Sequence, residues 1–381
     1  MNTKSKIEQA ADMGQSIWLD HLDREFIHSG KLQALVDRGL RGITSNPSIF
    51  QKAIAEGGEY DDEIAAAETS DDDVAVYETL AIADIQHAAD TLAPVFIDAQ
   101  GMDGFISLEA NPNLAYDTEG TIREVRRLHT AVNRPNVMFK VPATAAGIPA
   151  IAALIGEGIN INITLMFSLA DYDNVADAYM RGLEARLAEG LPIDKIASVA
   201  SFFVSRVDTA VDKELDAIGS DVALSLKGKI GIANAKMAYA RYLNTFSSQR
   251  WQTLASHGAR TQRILYGSTS VKNPDYPNTM YVDNLMGANT INTLPLDALE
   301  KFVDHGMVSD ALTKQLEKAR QELVQLAALG VNLDRITQQL QDKGVTKFAD
   351  AFNELLGSIK GVRNQAQEKA TQRQPEPLVE D

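Results

Sequence analysis

The sequence contains no cysteine, which excludes disulfide bonds, thiolate metal sites and cysteine nucleophiles. Long apolar runs are missing as well. None approaches the roughly 18 residues of a membrane-spanning helix, and the amino-terminal segment MNTKSKIEQAADMG lacks the apolar core of a secretory signal. We therefore expect a cytoplasmic protein.

Positive charge is scarce. The chain has 36 basic and 52 acidic side chains, and its formal net charge is -16. Such a field repels nucleic acids and anionic membranes, so we expect neither as a partner. It also repels phosphorylated metabolites, but salt screens charges beyond roughly 8 Å. A local cluster of cations would therefore suffice to bind a phosphate group.

Common cofactor motifs are also absent from the sequence. The 6 histidines show no HxH or HExxH spacing, which disfavours a metal-dependent aldolase. The segment GEGIN at 156 lacks a third glycine and precedes a strand, so nucleotide chemistry loses its main support. The sequence predicts an enzyme that needs no cofactor.

Short apolar or alternating segments recur between longer helical stretches, as in parallel α/β proteins. The predicted strands begin with SIWLD at 16, GITSN at 42, GFISLEA at 104, NVMFKVPA at 136, NINITLMF at 160, SVASFFV at 198, RILYGSTS at 263 and TMYVDNLMG at 279. Only VKNPDYPN joins the last two, so this unit is expected to be irregular. The pattern predicts an α/β fold, a (β/α)8 TIM barrel, with a doubly wound open sheet as the alternative.

The pattern becomes purely helical after residue 294. Length alone leaves the number of domains open, and we expect residues 1–365 to form a single barrel with a helical cover from about 295. Residues 366–381 have almost no apolar content and include two prolines. Their composition predicts a disordered tail.

Lys140 interrupts an otherwise apolar strand. Period-two alternation places Lys140 on the face opposite Phe139 and Val141. If the apolar face contacts the outer helices, the lysine points into the barrel, where an ammonium is costly unless it is paired or neutral. A structural ion pair and a nucleophile both remain possible explanations for this residue alone.

Other predicted strands carry polar side chains on the corresponding face. These are Asp20, Thr44, Asn46, Ser107, Glu109, Asn162, Thr164 and Ser201. Each has a structural alternative, since Asp20 or Asn46 could cap a helix. Together they predict a polar interior near the carboxyl ends of the strands, where barrel enzymes place their active sites.

This set of residues favours chemistry at a carbonyl group. A buried, neutral lysine can form a Schiff base with a ketose, and carboxylates can move protons as the adjacent carbon–carbon bond breaks. Arg206, Ser270 and Lys272 follow the sixth and seventh predicted strands, a common position for phosphate sites in barrels. Exposed, solvated cations are the alternative explanation.

The segments that carry these residues occur in a recognisable order. They are GITSNPSIF, FISLEANPNLAYDTEGTI, NVMFKVPATAAGI, NINITLMFS, ASFFVSRVD and QRILYGSTSVKNPDYPNTMYVDNLM. Over roughly residues 1–365 this order resembles the transaldolase family. The STSVKNP segment resembles the branch found in actinobacteria and cyanobacteria.

The resemblance implies a role for each candidate residue. Lys140 would form the Schiff base, Asp20 would handle the proton of the C4 hydroxyl, and Glu109 would act through a water held with Thr164. The hydroxyls of the dihydroxyacetone unit would be bound by Asn46, Asn162 and Ser201. The phosphate would be bound by Arg206, Ser270 and Lys272.

The reaction implied by the resemblance belongs to the pentose phosphate pathway. Sedoheptulose 7-phosphate and glyceraldehyde 3-phosphate would give erythrose 4-phosphate and fructose 6-phosphate. A Schiff-base aldolase that releases dihydroxyacetone and a non-catalytic barrel scaffold are the alternatives. The carboxyl-terminal helices are the candidate cover of the site.

Overall fold

The computed structural model describes residues 4–67 and 72–372. Within these ranges eight parallel strands follow one another around a closed barrel, and the last pairs with the first. The strands are β1 (Gln15–Asp20), β2 (Gly42–Thr44), β3 (Phe105–Glu109), β4 (Val137–Pro142), β5 (Ile161–Met166), β6 (Ser198–Phe203), β7 (Arg263–Gly267) and β8 (Thr290–Leu294). The predicted barrel is confirmed, and the open-sheet alternative is wrong.

Helices surround the barrel and cover one of its ends. In the described ranges they are α1 (Lys6–Asp12), α2 (Arg24–His28), α3 (Lys31–Asp37), α4 (Pro47–Gly57), α5 (Asp61–Ala66), α6 (Asp73–Asp98), α7 (Thr118–Val132), α8 (Gly147–Gly156), α9 (Leu169–Ala188), α10 (Ser205–Ile218), α11 (Asp221–Ser225), α12 (Ile230–Thr245), α13 (Gln249–Ala255), α14 (Met280–Asn284), α15 (Leu296–His305), α16 (Leu316–Ala328) and α17 (Leu333–Gln372). None of the helices in residues 4–67 and 72–372 is long and apolar enough to cross a membrane.

One layer of the barrel interior is apolar. It is filled by a cluster that includes Trp18, Phe105, Met138, Val199, Leu265 and Ile291. Gly42 is required beside this cluster, because a Cβ atom at that position would lie 2.5 Å from the Trp18 ring. This packing leaves the other end of the barrel, where the strands terminate, for the polar side chains.

The eighth strand lies where the sequence predicts only a connection. Residues Met280–Asn284 of the predicted strand TMYVDNLMG form α14, and β8 is Thr290–Leu294. The prediction was wrong because β-branched and aromatic residues at 281 and 282 suggest a strand, whereas the buried residues are Tyr281, Val282, Leu285 and Met286. Their spacing is that of a helix.

Helix α17 lies across the carboxyl ends of the strands and contacts α4, α5, α6 and α10. The helical cover begins with α15 at Leu296, close to the predicted position. Helix α17 continues to Gln372 and so includes residues 366–372 of the segment expected to be a disordered tail, and that expectation stays a prediction. Glutamine, alanine, glutamate and lysine in this segment are good helix formers. Residues 373–381 lie outside the described residues, and the single-unit organisation of residues 1–365 stays a prediction.

Candidate active site

Lys140 is buried at the centre of the polar end of the barrel. It is 5 % exposed, and its Nζ atom lies 3.3 Å from Glu109 Oε2 and donates to the Ser45 carbonyl at 3.0 Å. The register explains this arrangement, since Glu109 and Asn162 pair with Lys140 on the two neighbouring strands. Side chains at paired positions of parallel strands lie on the same face. Lys140 therefore fits both explanations, because it forms a buried ion pair and also lies at the polar end of the barrel, where a nucleophile is expected.

The side chain of Asn162 is held in one orientation by two hydroxyl groups. Its Nδ2 atom donates to Ser107 Oγ at 2.9 Å, and its Oδ1 atom accepts a bond of 2.6 Å from Ser201. All three residues are buried. Strands β3, β5 and β6 thus contribute to one hydrogen-bond network beside Lys140.

Asp20 lies at the end of β1 and is held by a chain of hydroxyls. Thr44 Oγ1 donates to Asp20 Oδ1 at 2.7 Å, and the Oγ1 atoms of Thr44 and Thr293 lie 2.7 Å apart. Because a hydroxyl has one proton, Thr293 must be the donor to Thr44. Burial raises the pKa of Asp20 and of Glu109 above the ordinary carboxyl range, and the positive charge of Lys140 opposes both increases.

Thr164 lies beside Pro142 in the register of β4 and β5. It is completely buried, and its Oγ1 atom has no hydrogen-bond partner among the described residues. The next residue, Leu165, has a φ of 56°, and the pairing of β5 with β6 shifts between Ile163 and Met166. This left-handed residue marks a β-bulge at the end of β5.

A cavity of about 1710 Å³ opens above these strand ends. Seven of the predicted site residues line it, namely Asp20, Asn46, Lys140, Ser201, Arg206, Ser270 and Lys272. Glu109, Asn162 and Thr164 do not line the cavity and are buried on β3 and β5, the two neighbours of β4. Asn46 also caps α4, because its Oδ1 atom accepts from the amide of Ile49 at 3.1 Å.

The predicted phosphate residues lie directly after β6 and β7. Arg206 is in the first turn of α10, with its Cζ atom 5.2 Å from the centre of the Phe203 ring, and Lys272 donates to Ser270 Oγ at 2.7 Å. The two segments are joined, since Ser205 donates its amide to the Ser268 carbonyl at 2.9 Å. Both cation-bearing segments are thereby held at one wall of the cavity.

Several residues of this site were missed by the sequence reasoning. Thr293 was missed because β8 was misplaced, whereas Lys213 on α10 and Lys343 and Lys347 on α17 line the cavity from the cover. The two α17 lysines are four residues apart and share a helix face. The four-residue spacing is visible in the sequence and indicates a shared helix face. The two lysines reach the cavity only because α17 docks beside it.

Comparisons with known proteins agree with this geometry. Residues 17–359 match the family described as Transaldolase/Fructose-6-phosphate aldolase. A transaldolase from Trichodesmium erythraeum is 44% identical over 360 residues, which are 91% of this chain and 95% of that protein. One from Mycobacterium tuberculosis is 47% identical over 348 residues, or 90% and 93% of the two chains. "Transaldolase 1" of Streptomyces avermitilis is 46% identical over 364 residues, or 94% and 96%.

Proposed function

Because this chain belongs to the transaldolase family, we propose that it transfers a dihydroxyacetone unit from sedoheptulose 7-phosphate to glyceraldehyde 3-phosphate, through a Schiff base on Lys140. The products are erythrose 4-phosphate and fructose 6-phosphate, and the reaction is a step of the pentose phosphate pathway. The observation that carries the proposal is the buried Lys140 amine beside Glu109, in a cavity that Asp20 and Arg206 also line. Substrates of this kind support the expectation of a cytoplasmic protein.

The first stage joins the ketose to the enzyme. Lys140 gives a proton to Glu109, and its amine then attacks the C2 carbonyl and forms a carbinolamine, which loses water to give the iminium ion. Glu109 lies 3.3 Å from the amine, and its raised pKa suits a group that both accepts and donates protons. The buried hydroxyl of Thr164 supports the expectation that a water held with Thr164 carries these protons.

The second stage breaks the bond between C3 and C4. Asp20 takes the proton of the C4 hydroxyl, the C4 oxygen becomes the aldehyde of the departing aldose phosphate, and the bonding electrons move into the iminium ion. The product on Lys140 is an enamine of dihydroxyacetone. Its C3 atom then attacks the aldehyde of the acceptor, and Asp20 returns its proton to the new hydroxyl. Water finally releases the new ketose from Lys140.

The remaining candidates would hold the substrate during these stages. Ser201 and Asn46 line the cavity with groups that can bond to the hydroxyls of the dihydroxyacetone unit, and the amide of Asn162 is hydrogen-bonded to Ser201. Arg206, Ser270 and Lys272 would bind the phosphate. Arg206 suits this task, because its planar guanidinium can form two parallel bonds to phosphate oxygens.

Lys140 can be tested directly by trapping the iminium ion. The protein is incubated with fructose 6-phosphate and borohydride, and the modified peptide is identified by mass spectrometry. We expect one adduct, on Lys140, and none in Lys140→Ala, whereas Lys360→Ala on the exposed part of α17 should react normally. An equal adduct in Lys140→Ala, or none in the unmodified protein, would contradict the mechanism and favour the non-catalytic scaffold.

Transfer and simple aldol cleavage differ in their need for an acceptor. Relatives named transaldolase favour transfer. Consumption of fructose 6-phosphate should therefore accelerate when erythrose 4-phosphate is added. Release of free dihydroxyacetone at the same rate with and without acceptor would favour the aldolase instead.

A further inference from the structure

Helix α17 reaches the strand ends of the barrel through Gln341. This side chain is 6 % exposed, and its Nε2 atom donates to the carbonyls of Ala143 and Leu165, each at 3.1 Å. Ala143 directly follows β4, and Leu165 belongs to β5. The amide has two protons, so one side chain satisfies two buried carbonyls on neighbouring strands.

The contact is made at the strained point of β5. Leu165 adopts a φ of 56°, a conformation that costs energy for a residue with a side chain and persists only where the surroundings impose it. Helix α17 contacts this residue at two points. Gln341 binds the Leu165 carbonyl, and Gly344 leaves room for its side chain, since a Cβ atom there would lie 2.8 Å from Leu165 Cδ2.

The residue before this bulge is Thr164. Its carbonyl accepts from the Ala143 amide at 2.8 Å, and the neighbouring carbonyls of Ala143 and Leu165 are the two that Gln341 binds. The residue after Thr164, and the end of β4 that bonds to the Thr164 carbonyl, are thus both tied to α17. Its hydroxyl is buried and has no partner among residues 4–67 and 72–372, so its direction depends on this backbone.

We infer that Gln341 is a positioning residue, which acts through the bulge at Leu165 to direct the hydroxyl of Thr164 toward the chemistry at Lys140. The inference rests on the proposed Schiff-base function and assigns α17 a part in it beyond covering the cavity. A purely structural Gln341 would only satisfy two carbonyls. Its loss would then lower stability without changing the rate of the folded enzyme.

The test replaces Gln341 by methionine, which keeps the length of the side chain and removes both donors. Gln365→Met, at an exposed position of the same helix, is the matched control. We expect Gln341→Met to form the borohydride-trapped adduct on Lys140 at least tenfold more slowly. Its kcat should fall equally, its KM for the ketose should stay within twofold, and Gln365→Met should behave as the unmodified protein.

A double-mutant cycle with Thr164→Val asks whether Gln341 acts through Thr164. If it does, Gln341→Met should slow the Thr164→Val enzyme less than twofold. If the two losses multiply, or if folded Gln341→Met has a kcat within twofold of the unmodified enzyme, the inference is overturned. Gln341→Asn, which keeps the amide but shortens its reach by one methylene, gives the same readouts should the methionine variant not fold. Failure of the unmodified protein to form any adduct would instead refute the proposed function.

Discussion

Asp20, which is half-buried, and Glu109, which is buried, are two carboxylates of one polar interior with different neighbours. Glu109 is paired with the Lys140 amine, whereas Asp20 accepts a bond from Thr44 at the cavity wall. In the proposed mechanism Glu109 exchanges protons during imine formation, and Asp20 exchanges them with a substrate hydroxyl.

Asp20→Asn should separate the two stages of the reaction. We expect kcat to fall roughly 100- to 10,000-fold, the usual contribution of a general base, because the amide cannot accept the hydroxyl proton. Trapping of fructose 6-phosphate on Lys140 should persist, since the imine forms before the carbon–carbon bond breaks. Asp117→Asn is the control, because Asp117 only caps α7 and asparagine caps equally well. Loss of the trapped adduct in Asp20→Asn would contradict this division of roles.

Sequence reasoning predicted the proximity of those candidate residues whose position follows from strand alternation. Lys140, Glu109 and Asn162 needed only period two and the order of the strands. Gln341 could not be found in this way, because its partners are 198 and 176 residues away and meet it only when α17 docks. No sequence pattern predicts the left-handed backbone conformation of Leu165 either.

At the scale of elements, α10 connects the candidate phosphate residues to the helices outside the barrel. Asp208 accepts from the Gly231 amide at 2.6 Å. Asp212 accepts from the Gly228 amide at 3.0 Å and from the Tyr276 hydroxyl at 2.6 Å. Tyr276 lies in the loop that contains Lys272, so one helix carries Arg206 and holds the second cation loop.

Asp208 should make the stability of the protein depend on pH. Burial raises its pKa from 3.8 to about 7, so the folded protein binds a proton that the unfolded chain releases between these values. The free energy of unfolding should therefore fall as pH rises from about 4 to about 7, by up to about 4 kcal/mol from this group. Urea unfolding at pH 5 and pH 7.5 measures the change. Asp208→Asn should reduce the difference in unfolding free energy between the two pH values, and the exposed Asp350→Asn should leave it unchanged. The same difference in Asp208→Asn as in the unmodified protein would disprove the assignment.

The strands show where local pattern suffices and where it fails. Strands β1 to β7 were predicted because apolar residues alternate or cluster within them. Strand β8 reads TINTL, and its threonines and asparagine leave too little apolar signal to distinguish it from a loop. Its pairing with β1 and β7, a long-range contact, decides its structure.

At the scale of the whole molecule, the charge of the cavity opposes that of the surface. The chain has a net charge of -16, yet Lys213, Lys343 and Lys347 line the cavity and form no ion pair in the described part of the chain. Arg206 and Lys272 line it as well. The cations of the cavity can thus attract phosphates locally, although the net charge of the protein repels them.

Neutralising the two α17 lysines should weaken substrate capture without changing the chemistry. We expect Lys343→Gln/Lys347→Gln to raise the KM for sugar phosphates about two- to fivefold at low salt, with kcat unchanged. The difference should shrink as added salt screens the charges. Lys318→Gln/Lys360→Gln, which alters the net charge equally at exposed positions away from the cavity, is the control. An equal rise of KM in both variants would indicate an effect of net charge rather than of position.

The closed barrel also has a consequence for how the protein is made. Strand β1 pairs with β8, so one edge of β1, near residue 20, has no partner until residues 290–294 have left the ribosome. An unpaired strand edge can pair with other chains, and parallel sheets form slowly. Translation of most of the polypeptide thus takes place before the sheet can close. The risk of misassembly through the open edge of β1 is therefore confined to the growing chain, because the closed barrel leaves that edge paired.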